Sequence, residues 1–392
     1  METGKPQPFF ALTAAVLLTG SLGSIHAFSI FIVPLESSYG ASRESVSLVY
    51  SIALVSLTIA VLASHRIFRS FKPAKLLILI GLVAAGGLLL PLLIDSLLAV
   101  HAGYGLVFGF ANGMGYAFAL QLAARANPDR GATNIGAVTA VYALGALLFA
   151  QVSHGAVTGG GFRNAFALLA VTMLLVGSVG AFAAHRSNVS LAAEGRAEGP
   201  SGTPQRTGLV PLLWLGYGTS CLAGLMAIGH AAGILQAVGG SPAALTAAVV
   251  LIALGNAIGG FAAGFLADRF PVRRLLALFS LLSGGALLVT AVTADPTTTL
   301  VGLAIIGLAY GAIIALYPAV TVTYFGVDRM AQVYGRIFTA WGAAGLLGPW
   351  IAGFLYDKTA SYGAACLLAA AAAAAATIVS LTLPKPVAVS TG

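Results

Sequence analysis

The chain has 392 residues, of which 59% are hydrophobic and only 8% charged. A soluble domain carries roughly a quarter of its residues as charges, so a water-soluble fold is excluded and the chain is expected to live in a bilayer. Its net charge of +8 reads as loop topology rather than nucleic-acid binding, because cytoplasmic loops of membrane proteins collect Lys and Arg.

The N-terminal METGKPQP runs straight into a membrane-length apolar stretch with no small-residue cleavage site, so a retained first helix is expected. A span needs roughly 20 apolar residues. Reading apolar runs against breaks predicts twelve: 9–33, 46–63, 75–93, 98–124, 132–157, 163–184, 209–236, 243–267, 274–293, 298–324, 333–356 and 362–384. The breaks fall at Pro34, Lys72-Pro73, Pro128-Asp129-Arg130, Gly159-Gly160-Gly161, Pro242, Pro271, Asp295-Pro296 and Gly326. With the N-terminus inside, fifteen of the 19 basic residues fall in inner loops and tails. Outer loops hold Arg43, Arg163 and Lys358, and Arg336 falls within a span. That bias places both termini in the cytoplasm of a multi-pass inner-membrane protein. Residues 186–208 are polar and rich in Gly, Ser and Pro, a composition that buries too little apolar surface to fold alone. They are read as a cytoplasmic linker between six-helix bundles at 1–185 and 209–392.

The two halves repeat. Ser42 returns as Ser241, Asp129-Arg130 as Asp328-Arg329, Gly136 as Gly335 and Tyr142 as Trp341, each 199 positions on. Gly109 and Gly113 return as Gly307 and Gly311, one position out of that register. Duplicated bundles in one chain are a transporter architecture, with the solute held near mid-membrane at the repeat interface. The fold expected is therefore all-α, twelve transmembrane helices in two six-helix bundles related by an axis along the membrane normal, working by alternating access. Small-residue steps at Gly105/Gly109/Gly113, Gly255/Gly259, Gly260/Gly264 and Gly307/Gly311 are expected where helix backbones approach closely. Cys221 and Cys366 lie in apolar runs and suit packing better than a disulfide or a metal pair.

All eleven acids sit at span ends, loops or tails. Carboxylate-based proton coupling, which uses an intramembrane acid, is thereby disfavoured, and histidines are the remaining titratable candidates. His26 and His230 each lie in the first helix of a half; a hydrogen bond to a neighbouring helix and a solute- or proton-binding role are both open for them. His101 and His154 sit at span ends and are expected at the interface. Arg336 lies about 12 Å to the cytoplasmic side of the centre of its span; a cavity-facing guanidinium and one snorkelling to the headgroups are both open. Asn112, Tyr116, Tyr142, Asn256, Tyr310, Tyr317 and Trp341 place polar tips near mid-membrane. As a group they suit the lining of a small cavity, with helix packing as the alternative for each alone.

The stretch GFLADRFPVRR, carrying Gly264, Asp268, Arg269, Arg273 and Arg274, resembles the loop signature of the major facilitator superfamily, with Pro271 where the family usually has Gly. Asp268 is suited to accept hydrogen bonds from a neighbouring helix N-terminus, and the arginines to the anionic inner interface. The equivalent first-half loop, HRIFRSFKPAK, is degenerate, with Arg69 where Asp268 sits in the second. FSIFIVPLESSYGASRESVSLVYSI, GLMAIGHAAGI and YGRIFTAWGAAGLLGPWIAGFLYDKTASYG are similar to segments of bacterial monocarboxylate and oxalate/formate-type facilitators. In oxalate-type members the Trp341 position often carries a Lys and span 8 a basic residue; here span 8 holds Asn256. The resemblance thus implies a monoanion rather than a dianion.

No nucleophile elbow surrounds a Ser, no phosphate loop ends in Gly-Lys-Ser/Thr, and no H-E-x-x-H or Cys/His cluster is present. An enzyme, an ATP-driven pump and a metal protein are disfavoured on these grounds, and no cofactor is expected. The function expected is secondary transport of a small organic anion, a monocarboxylate, by a monomer, with proton coupling open. Efflux of hydrophobic drug-like solutes is the alternative.

Overall fold

The computed structural model describes residues 7–68, 70–189, 191 and 208–385, without the side chains of 43, 44, 150 and 153–160. The expected linker at 186–208 falls largely outside the described residues, as do Lys5, Arg69, Arg196 and Arg206 and the side chain of His154. The described residues form helices and no strand. That is the economical answer for an apolar chain in lipid, where every backbone group must be satisfied within its own segment.

Among the described residues, twelve helical stretches are long and apolar enough to cross a membrane. Spans 1 to 6 are Pro8–Tyr39, Ser45–Phe68, Pro73–Leu93, Leu97–Ala126, Pro128–Phe149 and Gly161–Arg186. Spans 7 to 12 are Leu209–Gly229, Pro242–Ala267, Val272–Val292, Pro296–Phe325, Val327–Thr359 and Gly363–Thr382. The turn chemistry explains the starts. The Ser42 hydroxyl accepts the Ser45 amide at 3.3 Å, and its repeat partner Ser241 accepts Ala244 at 3.3 Å. Ser96 caps span 4 and Asp295 caps span 10 in the same way, satisfying donors a helix start leaves free. Prolines 73, 242 and 296 occupy first-turn positions, where no N–H is needed. Gly40 ends span 1 in the left-handed conformation, φ 59°.

Two spans and one loop differ from their sequence reading. Span 1 is not one α-helix: α-helix Pro8–Leu22 tightens into a 3-10 stretch, Gly23–Phe31, before α-helix Ile32–Tyr39 resumes. Span 4 contains a wide π-wound segment, His101–Phe108. The expected loop at Gly159–Gly161 is instead part of a helical run of 56 residues, Gly131–Arg186. A run of that length extends about 84 Å if straight, far beyond one bilayer, and it carries two crossings. Gly161, at φ 73°, is where it departs from right-handed geometry.

The helices gather into two compact units, Met1–Pro128 with Val141–Ala197, and Asp129–Ala140 with Glu198–Gly392. The first ten or so residues of span 5 therefore pack with the second unit, while its remainder packs with the first. The core of the first unit is aromatic: the Phe31 ring lies 5.0 Å from Phe166, and Tyr104 lies 5.0 Å from Phe108 and 5.4 Å from Phe166. The second holds a cluster of aliphatic and small side chains, among them Leu235, Leu287, Leu303, Ile306 and Ala369, all buried.

Candidate functional site

In the first unit four of the expected residues come together at the break in span 1. Gly23 lies so close to span 5 that a Cβ there would sit 3.0 Å from the Tyr142 carbonyl carbon and 3.0 Å from the Ala146 amide nitrogen. Asn112, wholly buried on span 4, holds this crossing. Its Nδ2 donates to the Leu22 carbonyl at 2.6 Å, and its Oδ1 accepts the Tyr142 hydroxyl at 2.9 Å. A second span 4 side chain, Tyr104, donates to the Ile25 carbonyl at 3.3 Å. Two carbonyls around the helix break thus find donors on one neighbouring helix, as buried backbone groups require. His26 projects from the 3-10 stretch as an exposed ring. Its Nδ1 pairs with the Tyr50 hydroxyl at 2.8 Å, and the ring stands edge-on to Tyr142 at 5.4 Å. Tyr116 packs on Tyr142 at 5.0 Å. Tyr50 is a member of this cluster that the sequence reading missed. It had the same signature as the others, a polar tip within an apolar span.

The second unit repeats the arrangement with different chemistry. Span 7 ends at Gly229, short of the expected residue 236: His230 leaves helical geometry at φ −117°, ψ 15°, and a short helix, Ala231–Ala237, follows. Trp341 Nε1 donates to the Tyr310 hydroxyl at 2.8 Å. Tyr142 and Trp341 are repeat partners at offset 199, and Asn112 and Tyr310 at the offset of 198 set by the neighbouring glycines. The same rung, from an aromatic donor on the fifth helix of a half to a polar acceptor on the fourth, thus occurs twice.

The remaining expected residues take other places. Tyr317 is fully buried and packs on Tyr217 at 4.3 Å with the rings tilted, so it belongs to an aromatic cluster that continues through Phe338, 6.4 Å from Tyr217, to Trp341, stacked on Phe338 at 5.0 Å. Asn256 is half-buried on span 8 with no hydrogen-bond partner for its amide among the described residues. Arg336 is exposed, and its guanidinium has no partner among the described residues. His230 is fully engaged. Its Nε2 faces the Pro349 carbonyl at 2.8 Å, and its Nδ1 faces the hydroxyl of Tyr362 at 3.3 Å, a partner the sequence reading missed. Burial, then the neighbouring Tyr356 and Asp357, push the Tyr362 phenol up from its ordinary range, so it stays protonated and able to donate.

The basic loop after span 8 divides its work. Gly264 allows span 8 to meet the start of span 5, where its Cβ would lie 2.7 Å from Gly136 Cα. Asp268 accepts from the Ala132 amide at 3.1 Å, the Thr133 amide at 2.9 Å and the Thr133 hydroxyl, capping span 5 at its positive end. Arg269 folds back on its own helix, donating to Phe265 O at 2.9 Å and lying 3.6 Å over the Phe265 ring. Arg273 donates to Leu383 O at 3.2 Å and so caps span 12. Arg274 is exposed. Among the described residues no group of three or more His, Cys, Asp or Glu is placed to hold a metal ion.

Residues 212–391 match the Major Facilitator Superfamily. Over 344 residues the chain is 24% identical to an uncharacterized MFS-type transporter, YhjX, of Escherichia coli, covering 85% of each. It is 25% identical to mouse monocarboxylate transporter 11 over 400 residues, 95% of this chain and 86% of that one. The oxalate:formate antiporter of Oxalobacter formigenes is 23% identical over 349 residues, 87% of this chain and 83% of that one. Among solved structures, the proton:xylose symporter XylE superposes with a TM-score of 0.73 at 13% identity, covering 96% of both chains. The human organic anion transporter MFSD10 gives 0.73 at 14% identity, covering 95% of this chain and all of that one. The family match falls on the second half of the chain, the curated relatives align across most of its length, and the solved structures share its fold.

Proposed function

We propose that the chain is a secondary carrier for a small organic anion, a monocarboxylate, working by alternating access from a multi-pass inner-membrane position with both termini cytoplasmic. The observation that carries this reading is the exposed Arg336 guanidinium, unpaired among the described residues, in a chain whose spans hold acids only near their ends. A permanent cation with a planar fork suits a carboxylate. The relatives named as monocarboxylate and oxalate:formate carriers support an anionic substrate. Each rung, Tyr142–Asn112 in the first unit and Trp341–Tyr310 in the second, offers polar tips on aromatic bodies, the kind of group that suits orientation of a small solute. His26, with Tyr50 beside it, is assigned to the anion as a second contact. Asp268 with its loop is assigned a gating role through its hold on span 5.

The test is uptake of a panel of radiolabelled small acids into proteoliposomes. Arg336→Ala is expected to abolish uptake of the best substrate while the protein still inserts, and Arg336→Lys to weaken it. Normal uptake by Arg336→Ala, or competition by lipophilic cations and none by carboxylates, would sink the anion reading.

A further inference from the structure

We propose that His101 is a proton-binding site, and that the proton it holds straps the start of span 2 to the start of span 4. The evidence is a donor count. A neutral imidazole has one N–H and one lone pair, while an imidazolium has two N–H groups. His101 is half-buried, and its two ring nitrogens face two backbone carbonyls: Nδ1 lies 2.8 Å from Leu97 O, and Nε2 lies 3.0 Å from Ser45 O. A carbonyl only accepts. Both contacts are hydrogen bonds only when both nitrogens carry protons.

The other two histidines placed on candidate-site helices are arranged differently. His230 faces one acceptor, Pro349 O, and one hydroxyl, Tyr362, so its neutral ring is satisfied. His26 faces one hydroxyl, Tyr50, which serves either protonation state. His101 alone of these three is complete only as the cation.

Its surroundings give the proton leverage. His101 is the first residue of the π-wound segment that reaches Phe108, a winding associated with functional positions. That segment is packed tightly: a Cβ on Gly103 would sit 3.0 Å from Pro91 Cδ on span 3. Of the charged groups at this end of the packed helices, Asp95 is already paired with Arg163. Arg43 and Glu44 begin the helix just ahead of span 2, and their side chains lie outside the described residues. The nearest titratable groups further along are Tyr50, bonded to His26, and Tyr104, bonded to Ile25 O. Protonation adds one N–H bond to the strap and changes no other covalent bond, the proton coming from water. When the ring is neutral one nitrogen offers a lone pair to a carbonyl, and one side of the strap is lost.

The test needs no knowledge of the substrate, so its failure is separate from failure of the anion-carrier reading. Purified protein in detergent is melted at about pH 5.5 and about pH 8.5, on either side of the usual histidine range. Wild type is expected to melt several degrees lower at the alkaline pH. His101→Arg, a permanent donor at several nitrogens, is expected to keep the acid melting temperature at both, and His101→Gln, whose N–H donors sit on a single nitrogen, the alkaline one at both. If either variant fails to fold, the other still decides. Hydrogen exchange on wild type adds a local readout, with amides 97–104 expected to lose protection at alkaline pH beyond the intrinsic rate change. A wild-type pH shift that persists unchanged in either variant, or no local change in exchange, would overturn the proposal.

Discussion

Gly311 sits where span 10 meets span 8, and adding one methyl group there is a quantitative test of how these helices are held. A Cβ on Gly311 would lie 2.6 Å from both Cα and the carbonyl carbon of Asn256. Carbon atoms rest at about 3.5–4.0 Å, so the two helices must part by about 1 Å. The obstruction is backbone, which no rotamer change relieves, and overpacking of this kind costs about 1–3 kcal/mol or more. Gly259, one turn along, has the same problem, its Cβ falling 2.8 Å from the Leu308 carbonyl carbon. Gly285 on span 9 is the control, because nothing lies within 4 Å of its Cβ. There Gly→Ala is expected to be neutral or to gain up to about 1 kcal/mol from helix propensity. Cys221 and Cys366 are both free and buried in the same unit, so a thiol-reactive fluorophore reports thermal opening directly. Gly311→Ala and Gly259→Ala should release thiols at a lower temperature than wild type, and Gly285→Ala at the same temperature or higher. If Gly311→Ala melts with wild type, the close approach of spans 8 and 10 is not what stabilises this unit.

Other expectations follow from single contacts. Asn112→Ala removes the side-chain donor to the Leu22 carbonyl and the acceptor of the Tyr142 hydroxyl bond; at about 1–3 kcal/mol for each bond lost, discounted for the half-buried hydroxyl, it should cost about 2–4 kcal/mol. Tyr142→Phe leaves the Leu22 bond intact and should cost about 1 kcal/mol, the two being ranked by scanning calorimetry in detergent. Asp268→Ala removes the cap of span 5 at about 0.5–2 kcal/mol, and the Ala132 and Thr133 amides should exchange faster, with Asp268→Asn intermediate; equal exchange in all three proteins would remove Asp268 from the latch. Bonds from the Thr298 hydroxyl and amide hold the Asp295 carboxyl below its ordinary value of 3.8. Its stabilising effect is present above that value and lost as pH falls through the lower folded value, so Asp295→Ala should melt below wild type at neutral pH and converge with it in strong acid.

The twelve spans were legible because length and apolarity are what a bilayer selects, and the capping roles of Ser42 and Ser241 follow from their place before a helix. The positive end of a helix needs an acceptor, which is why Asp268 was readable as a cap, although its target on span 5 was not. The winding of spans 1 and 4 was hidden. A 3-10 or π stretch changes backbone geometry without changing hydropathy, and Gly23 signals close approach but not pitch. Hydrogen-bond partners were hidden for a related reason. Helices apolar on every face carry no mark of which side meets which neighbour, so Tyr50 and Tyr362 could not be joined to their histidines. The two rungs show the repeat doing what pattern alone cannot. Tyr142 and Trp341 share a position and a donor role, while their acceptors, Asn112 and Tyr310, diverged in chemistry at a fixed site.

The allocation of Asp129–Ala140 to the second compact unit bears on how the gene can be cut. A split at the polar segment near residue 200 would give a C-terminal fragment whose Asp268 has lost the amides it caps and whose Gly264 has lost its facing Gly136. Such a fragment would be translated with an open seam along span 8. Co-expressed fragments divided ahead of Asp129 would instead leave that seam closed within one polypeptide.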